Sequence, residues 1–183
     1  AASGIAVIFQ DFSLFSNLTV AENIAFSSQL SGQARIFSHA RTKQIAQAAI
    51  ERIGVTIDLD ARVESIPVAH KQLVAICRGL ASKARLIIMD EPTTALTERE
   101  VRTLLNIIRK LKDDGIAVVF VSHKLAEVLE VCEEVFVLRN GKNVANGAAT
   151  EFDAASLTRH MTGRDVPAAL PPANIDQAKT LLS

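Results

Sequence analysis

The chain has 183 residues, 49% of them hydrophobic, and its 20 Lys and Arg are matched by 20 Asp and Glu for a formal net charge of 0. That is one domain's worth of sequence, apolar enough to bury a sizeable core, and the charge balance removes the broad basic surface of a nucleic-acid or anionic-membrane binder. The longest apolar runs, such as residues 116–121, have strand length and fall far short of the ~20 residues that cross a bilayer as a helix.

The two cysteines, Cys77 and Cys132, lack the spacing of a disulfide framework or a zinc site. They are expected as buried, reduced thiols of a cytoplasmic protein. The first residues carry neither an initiator Met nor a basic n-region, so they do not read as a signal peptide. The chain is expected to begin inside a larger protein.

In chain order, residues 5–9 form a short apolar run ending at Gln10, after which periodicity lapses through residue 17. A buried strand running into a loop is predicted. Thr19 and Glu22 have capping-box spacing, which places a helix start near Val20. Ile45, Ala46, Ala49, Ile50 and Ile53 recur at helical spacing, and Gly54 stands where a left-handed C′ residue belongs. From Val68 to Ala81, the residues Ala69, Leu73, Ile76, Cys77 and Leu80 share one face, and Pro67 suits a first helical position.

Residues 86–89, 116–121 and 135–138 are continuous apolar runs separated by helical patterns, as parallel strands covered on both faces would be. Between the first two, Thr97 and Glu100 make another capping box, and Val101, Leu104, Leu105, Ile108 and Leu111 form one stripe that ends near Gly115. Asn140 and Gly141 predict a tight hairpin turn into residues 142–146. Past Arg164, Pro167, Pro171 and Pro172 among polar residues read as a linker. The expected organisation is a helical insert, roughly residues 15–81, within an α/β layer structure.

Asp90 and Glu91 close the 86–89 run at its carboxyl end, where open α/β sheets bind ligands. Asp90 suits Mg²⁺, directly or through water, and Glu91 suits orienting and deprotonating an attacking water. A solvent-facing pair of acids in a strand-to-loop turn is an equal alternative on the hexapeptide alone. His123 ends the next predicted strand and is expected beside Glu91 on the same sheet edge, where it suits reading a γ-phosphate. Gln10 also ends a strand, and its amide suits Mg²⁺ or a metal-bound water. The start of the helix at Val68 offers N–H groups and a dipole to an anion.

In this order, the residues resemble the ATPase subunits of ABC transporters. Gln10 corresponds to the Q-loop glutamine, residues 66–70 (Ile-Pro-Val-Ala-His) to the signature, residues 86–91 to Walker B, residues 95–97 to the D-loop and His123 to the switch histidine. The resemblance covers residue 4 to about 165. Residues 18–24, 89–100, 121–128 and 138–142 are similar, more narrowly, to the N-terminal cassette of the duplicated ATPases that serve bacterial sugar importers.

The resemblance implies an α/β fold, a RecA-like P-loop NTPase cassette with an α-helical subdomain. Residues 1–14 would supply a core strand and the Q-loop, 15–81 the helical subdomain, 82–163 the RecA-like core, and 164–183 a linker toward a second cassette. ATP and Mg²⁺ are the implied cofactors. Glu91 would be the general base, His123 would contact the γ-phosphate, Asp90 and Gln10 would organise Mg²⁺ and water, and Val68, Ala69 and His70 would face nucleotide held by an opposing cassette. The implied partners are transmembrane permease subunits, a second cassette and, indirectly, a periplasmic sugar-binding protein, without nucleic acid. The implied place is cytoplasmic, peripheral on the inner face of the cell membrane.

Two departures from the family pattern bear on activity. No G-x-x-x-x-G-K-[ST] occurs in the chain, although this chemistry needs the phosphate-cradling loop with its Lys and its Mg²⁺-binding hydroxyl. The expectation is a fragment lacking the P-loop strand and helix, inactive alone and prone to self-association through uncovered sheet surface. At the signature, Pro67 lacks the usual Ser hydroxyl, Ala69 stands for a Gly, and His70 stands for the Gln. Two other classes stay open, a soluble ABC-type ATPase acting on nucleic acid or ribosomes, and a non-catalytic interaction fragment.

Overall fold

Three parallel strands, β1 (Ile5–Ile8), β2 (Leu86–Asp90) and β3 (Ala117–Val121), lie in the order β1-β2-β3. The structure is a computed structural model that describes residues 4–30 and 38–163. The linker expected over residues 164–183 lies outside the described residues. The chain divides into two compact units, Ala1–Val131 and Cys132–Ser183.

In the first unit the path from β1 to β2 runs through three helices, α1 (Val20–Leu30), α2 (His39–Ile53) and α3 (Val68–Ala81), and α4 (Glu98–Asp113) carries the chain on to β3. Their ends are set by local chemistry. Thr19 accepts from the Glu22 N–H while the Glu22 carboxylate accepts from the Thr19 N–H at 2.8 Å. Ser38 accepts from the Arg41 N–H to start α2, and Gly54 ends it at φ 74° with its N–H donating to Ile50 and Glu51 carbonyls. Thr97 and Glu100 form the reciprocal box that opens α4. Pro67 departs from expectation. It is the N-cap of α3, with ψ 156°, so its extended backbone precedes the helix and Val68 is the first helical residue.

The helices share one core. Val20 and Ile24 of α1, Ala46, Ile50 and Ile53 of α2, and Val74, Ile76 and Cys77 of α3 bury together with Leu104, Leu105 and Leu111 of α4 and with Ile8, Ile87 and Met89 of the sheet. Apolar stripes at helical spacing meet the inward residues of strands with period two. Gly79 lets α3 approach β1, since a Cβ there would sit 3.1 Å from the Ala6 Cβ.

The other sheet face is not covered as the continuous apolar runs alone would have it, and it presents the uncovered sheet surface expected of a chain without the P-loop strand and helix. Register aligns Val7, Ile88 and Val119 across the strands, and Ile5, Val7, Val119 and Val121 are 40–50% exposed. Among the described residues, α3 and α4 join the core on the Ile8 and Met89 face only. A continuous apolar run states that both faces tolerate burial, and neighbouring elements decide which face is buried.

The second unit is a hairpin with one helix. β4 (Glu134–Arg139) pairs antiparallel with β5 (Lys142–Ala148), and α6 (Ala154–Thr162) packs on β4 and β5. Asn140 and Gly141 turn the hairpin with φ of 51° and 73°, as expected of this dipeptide. Residues 135–138 are therefore not a parallel strand covered on both faces. Val135 and Val137 are buried, whereas Phe136 and Leu138 are 63% and 71% exposed.

The short α5 (Leu125–Val131) of the first unit falls in the helical pattern expected between residues 121 and 135, whereas α6, opened by an Asp153–Ser156 box, had no sequence expectation. Cys77 is buried and its thiol is pushed up to about 12 by that burial. Cys132 is only half-buried, short of the burial expected for it. No helix among the described residues is long and apolar enough to cross a membrane.

Candidate functional site

The carboxyl end of β2 leads into a sharp turn at Glu91. This residue adopts φ 48°, a left-handed conformation that β-carbon sterics disfavour in non-glycine residues. Its N–H donates to the Val121 carbonyl at 2.9 Å, which ties the turn to the end of β3. The carboxylate is held at both oxygens. Oε1 lies 2.8 Å from His123 Nδ1, and Oε2 accepts from the Thr94 hydroxyl at 3.3 Å.

An ionised carboxylate only accepts, so this contact assigns a proton to His123 Nδ1. In a singly protonated ring the lone pair is then on Nε2, the other nitrogen. His123 is mostly exposed and Glu91 is a quarter exposed. The sheet produces the juxtaposition, because β2 and β3 are parallel neighbours whose ends coincide at Asp90 and Val121.

A recess of about 230 Å³ opens beside Glu91, and its lining includes Gln10, Phe12, Val68, Glu91, Thr94 and Leu96 but not His123. Three predicted residues thus meet: Val68 of α3, Glu91 just past β2, and Gln10, which lies in the turn two residues beyond β1 rather than at the strand's end. Asp90 ends β2 on the exposed face outside that lining. Ala69 and His70 lie in the first turn of α3, also outside the lining. His70 sits close enough to Glu100 to favour its ionised form, but the larger causes holding the Glu100 carboxyl below its usual range are hydrogen bonds from the Thr97 N–H and hydroxyl.

The loop after Gln10 has an anchor that the sequence did not reveal. Phe12 and Ser13 take φ of 62° and 46°, and their carbonyls accept from the Arg78 guanidinium at 3.1 and 2.7 Å. Asn23 of α1, fully buried, completes the fastening by accepting from the Phe15 N–H at 2.8 Å and donating to the Phe15 and Thr19 carbonyls at 3.0 Å. Thr94 was missed as well. Its role depends on a side-chain geometry that no spacing rule encodes.

Among the described residues, no group of three or more His, Cys, Asp or Glu side chains is arranged to hold a metal. Mg²⁺ that arrives on a nucleotide needs only one or two protein oxygens, with phosphates and water filling the rest of its shell. The exposed Asp90 carboxylate and the Gln10 amide fit that donor set.

The family model described as ABC transporter matches residues 1–94. A ribose import ATP-binding protein RbsA 1 of Rubrobacter xylanophilus is 41% identical over 179 residues, which is 98% of this chain and 36% of that protein. The ribose import ATP-binding protein RbsA of Bacillus licheniformis is 33% identical over 98% of this chain and 36% of its own length. A putative ribose/galactose/methyl galactoside import ATP-binding protein of Agrobacterium fabrum is 35% identical over 99% of this chain and 35% of its own length. The chain therefore spans about a third of the length of these relatives.

Among solved structures, an inward-facing putative metal-chelate type ABC transporter superposes with a TM-score of 0.75 at 21% identity, covering 87% of this chain and 64% of the other. A dimeric ATP-binding cassette bound to ADP and Pi superposes with a TM-score of 0.68 at 24% identity, covering 79% and 62%. These likenesses concern the fold.

Proposed function

The chain belongs to the ABC transporter family, with the mixed α/β ABC cassette fold of the P-loop NTPases and homology to ribose import ATP-binding proteins, and on that premise we propose that it serves the ATP-hydrolysing step of a sugar importer. The observation that carries this reading is the 2.8 Å contact between Glu91 and His123 at the ends of adjacent parallel strands. Gln10 and Val68 line the recess that Glu91 enters, which supports a ligand seated between strand ends and a helix N-terminus.

In this reading, bound ATP with Mg²⁺ supplies the phosphoanhydride and the charge-neutralising metal. Glu91 orients a water and takes its proton. His123 steadies the Glu91 carboxylate through Nδ1 and directs its other ring nitrogen to the terminal phosphate. Asp90 and Gln10 hold the Mg²⁺ and its water. Val68, Ala69 and His70 present the α3 N-terminus to nucleotide on an opposing cassette, where backbone N–H groups serve in place of the usual side chains.

Residues 15–81 act as the helical subdomain between two parts of a RecA-like core, 1–14 and 82–163, with 164–183 as a linker toward a second cassette. Hydrolysis is coupled through transmembrane permease subunits, with a periplasmic sugar-binding protein delivering solute, at the cytoplasmic face of the membrane. Alone, the 183-residue chain binds ATP weakly and does not hydrolyse it, since the phosphate-cradling Lys is not in its sequence. The exposed face bearing Ile5, Val7, Val119 and Val121 favours self-association of the isolated chain. The test is ATP-driven sugar uptake by the assembled transporter in vesicles, with and without Glu91→Gln. Loss of uptake with ATP still bound is expected, and undiminished uptake would overturn the reading.

A further inference from the structure

Glu91 and His123 touch where the His123 ring is mostly exposed, yet the segments that carry them are joined again one layer deeper. Thr93, two residues beyond Glu91, is fully buried and donates its hydroxyl to Glu127 Oε2 of α5 at 2.6 Å. Lys124, the residue after His123, donates from Nζ to the Thr93 carbonyl at 2.9 Å. The same ammonium lies 3.5 Å from Glu127 Oε1, and the Glu127 side chain is only 15% exposed. The Lys124 N–H donates to Ser122 Oγ at 3.0 Å, which sets the turn into α5.

These bonds differ in kind from the contact they flank. A fully buried hydroxyl cannot exchange its partner for water without cost, and a largely buried carboxylate needs its compensating donors. His123, in contrast, is 64% exposed, so water competes directly for its ring nitrogens. The left-handed backbone at Glu91 is also unfavourable and persists only where the surroundings over-determine it. Its own N–H bond to Val121 anchors one side of the turn, and Thr93 anchors the other.

We infer that Thr93, Lys124 and Glu127 are positioning residues, which hold the Glu91 turn and the His123 turn at the spacing that commits the His123 Nδ1 proton to Glu91. The inference rests on the proposed function only for the task it gives that contact. The network acts on the ring whether or not nucleotide is bound, so it can be read on this chain alone.

The test uses the full 183-residue chain with ¹⁵N-labelled histidine, at a pH of about 8, above the ordinary imidazole range. Long-range proton–nitrogen correlation reports which ring nitrogen carries the proton, and His123→Gln identifies the signal among the four histidines. The wild-type ring is expected mainly as the Nδ1–H tautomer. Thr93→Val and Glu127→Gln should each lower the Nδ1–H to Nε2–H ratio several-fold, toward that of Glu91→Gln. Thr93→Ser keeps the hydroxyl and should retain the wild-type ratio.

Dispersed amide spectra show which variants fold, and Glu127→Gln and Thr93→Ser keep the test decisive if Thr93→Val does not. A wild-type ring without the Nδ1–H preference overturns the inference. So does an unchanged ratio in folded Thr93→Val or Glu127→Gln, or a Thr93→Ser chain that behaves like the valine variant. Normal hydrolysis by a Glu91→Gln transporter would defeat the functional reading and leave the ring-proton result standing, so the two failures are distinguishable.

Discussion

Arg78 Nη1 donates to the Ser13 carbonyl at 2.7 Å, joining α3 to the loop after Gln10 across 65 positions of sequence. With the second bond to Phe12, the guanidinium fork meets two successive carbonyls whose residues both have positive φ. Arg78 thereby couples the helix that opens at the recess to the loop that lines it.

Replacing Arg78 by Met should destabilise the chain by about 1–2 kcal/mol, since a charged donor leaves two carbonyls in a partly exposed site. Arg78→Lys should recover only part of this, because a single ammonium cannot reproduce the fork. Urea midpoints measure the stability. Amide exchange over residues 11–15 should accelerate in both variants, and unchanged exchange in Arg78→Met would mean that Asn23 alone holds the loop.

Glu91 and His123 should behave as one unit. If Glu91 is the base as proposed, Glu91→Gln in the intact protein is expected to slow ATP hydrolysis ~10²–10⁴-fold while ATP still binds, because the amide keeps the shape and loses the base. His123→Ala should also slow hydrolysis, and the double variant should be little worse than the more damaged single one. Steady-state rates with any second cassette silenced decide this. Multiplicative losses would show that the 2.8 Å contact does not matter in the reaction.

The parts of this structure legible in the sequence are those set by neighbours along the chain. α3 and α4 follow from periodicity plus a proline and a capping box within one turn of their starts. Glu91 and His123 could be expected side by side because each closes an apolar run, and parallel neighbouring strands bring their ends together. The Arg78–Ser13 and Thr93–Glu127 bonds span 65 and 34 positions, and ordinary polar residues make them. No pattern marks such pairs before the chain is folded. The Asn140–Gly141 turn marked the hairpin partner of residues 135–138, but their apolarity, equal to that of residues 86–89, did not show that they stand outside the parallel sheet.

The α4 cap should make stability depend on acid in a defined direction. The Thr97 N–H and hydroxyl hold the Glu100 carboxyl below its ordinary range, so the folded state binds this proton less readily than the unfolded state. The cap's contribution is therefore fully present above the unfolded value of about 4.3 and is lost as pH falls through the lower folded value. Glu100→Gln should accordingly lower the urea midpoint at pH 7, with the gap to wild type closing below pH ~4. A gap independent of pH would mean that the carboxylate charge is irrelevant to the cap.

The start of α3 offers the sharpest separation of stability from function. Pro67 caps it without any side-chain hydrogen bond, and Val68 there is 40% exposed. A Ser at 67 would supply an oxygen to the N–H of Ala69 or His70, typically worth ~0.5–2 kcal/mol. Loss of the proline's restricted φ would offset ~0.4–1 kcal/mol of that. Pro67→Ser should thus leave the urea midpoint of the isolated chain unchanged or modestly raised. Turnover in the intact protein should respond differently, because these residues are proposed to act on nucleotide held by the opposing cassette. Restoring Ser, Gly and Gln at 67, 69 and 70 is expected to raise turnover at that composite site about tenfold, as added contacts of ~1.4 kcal/mol would. The site containing Glu91 should be unaffected, since in the proposed function it depends on the other cassette's signature. Site-resolved nucleotide trapping measures both, and equal turnover at the two sites before and after the restoration would remove the basis for an asymmetric pair.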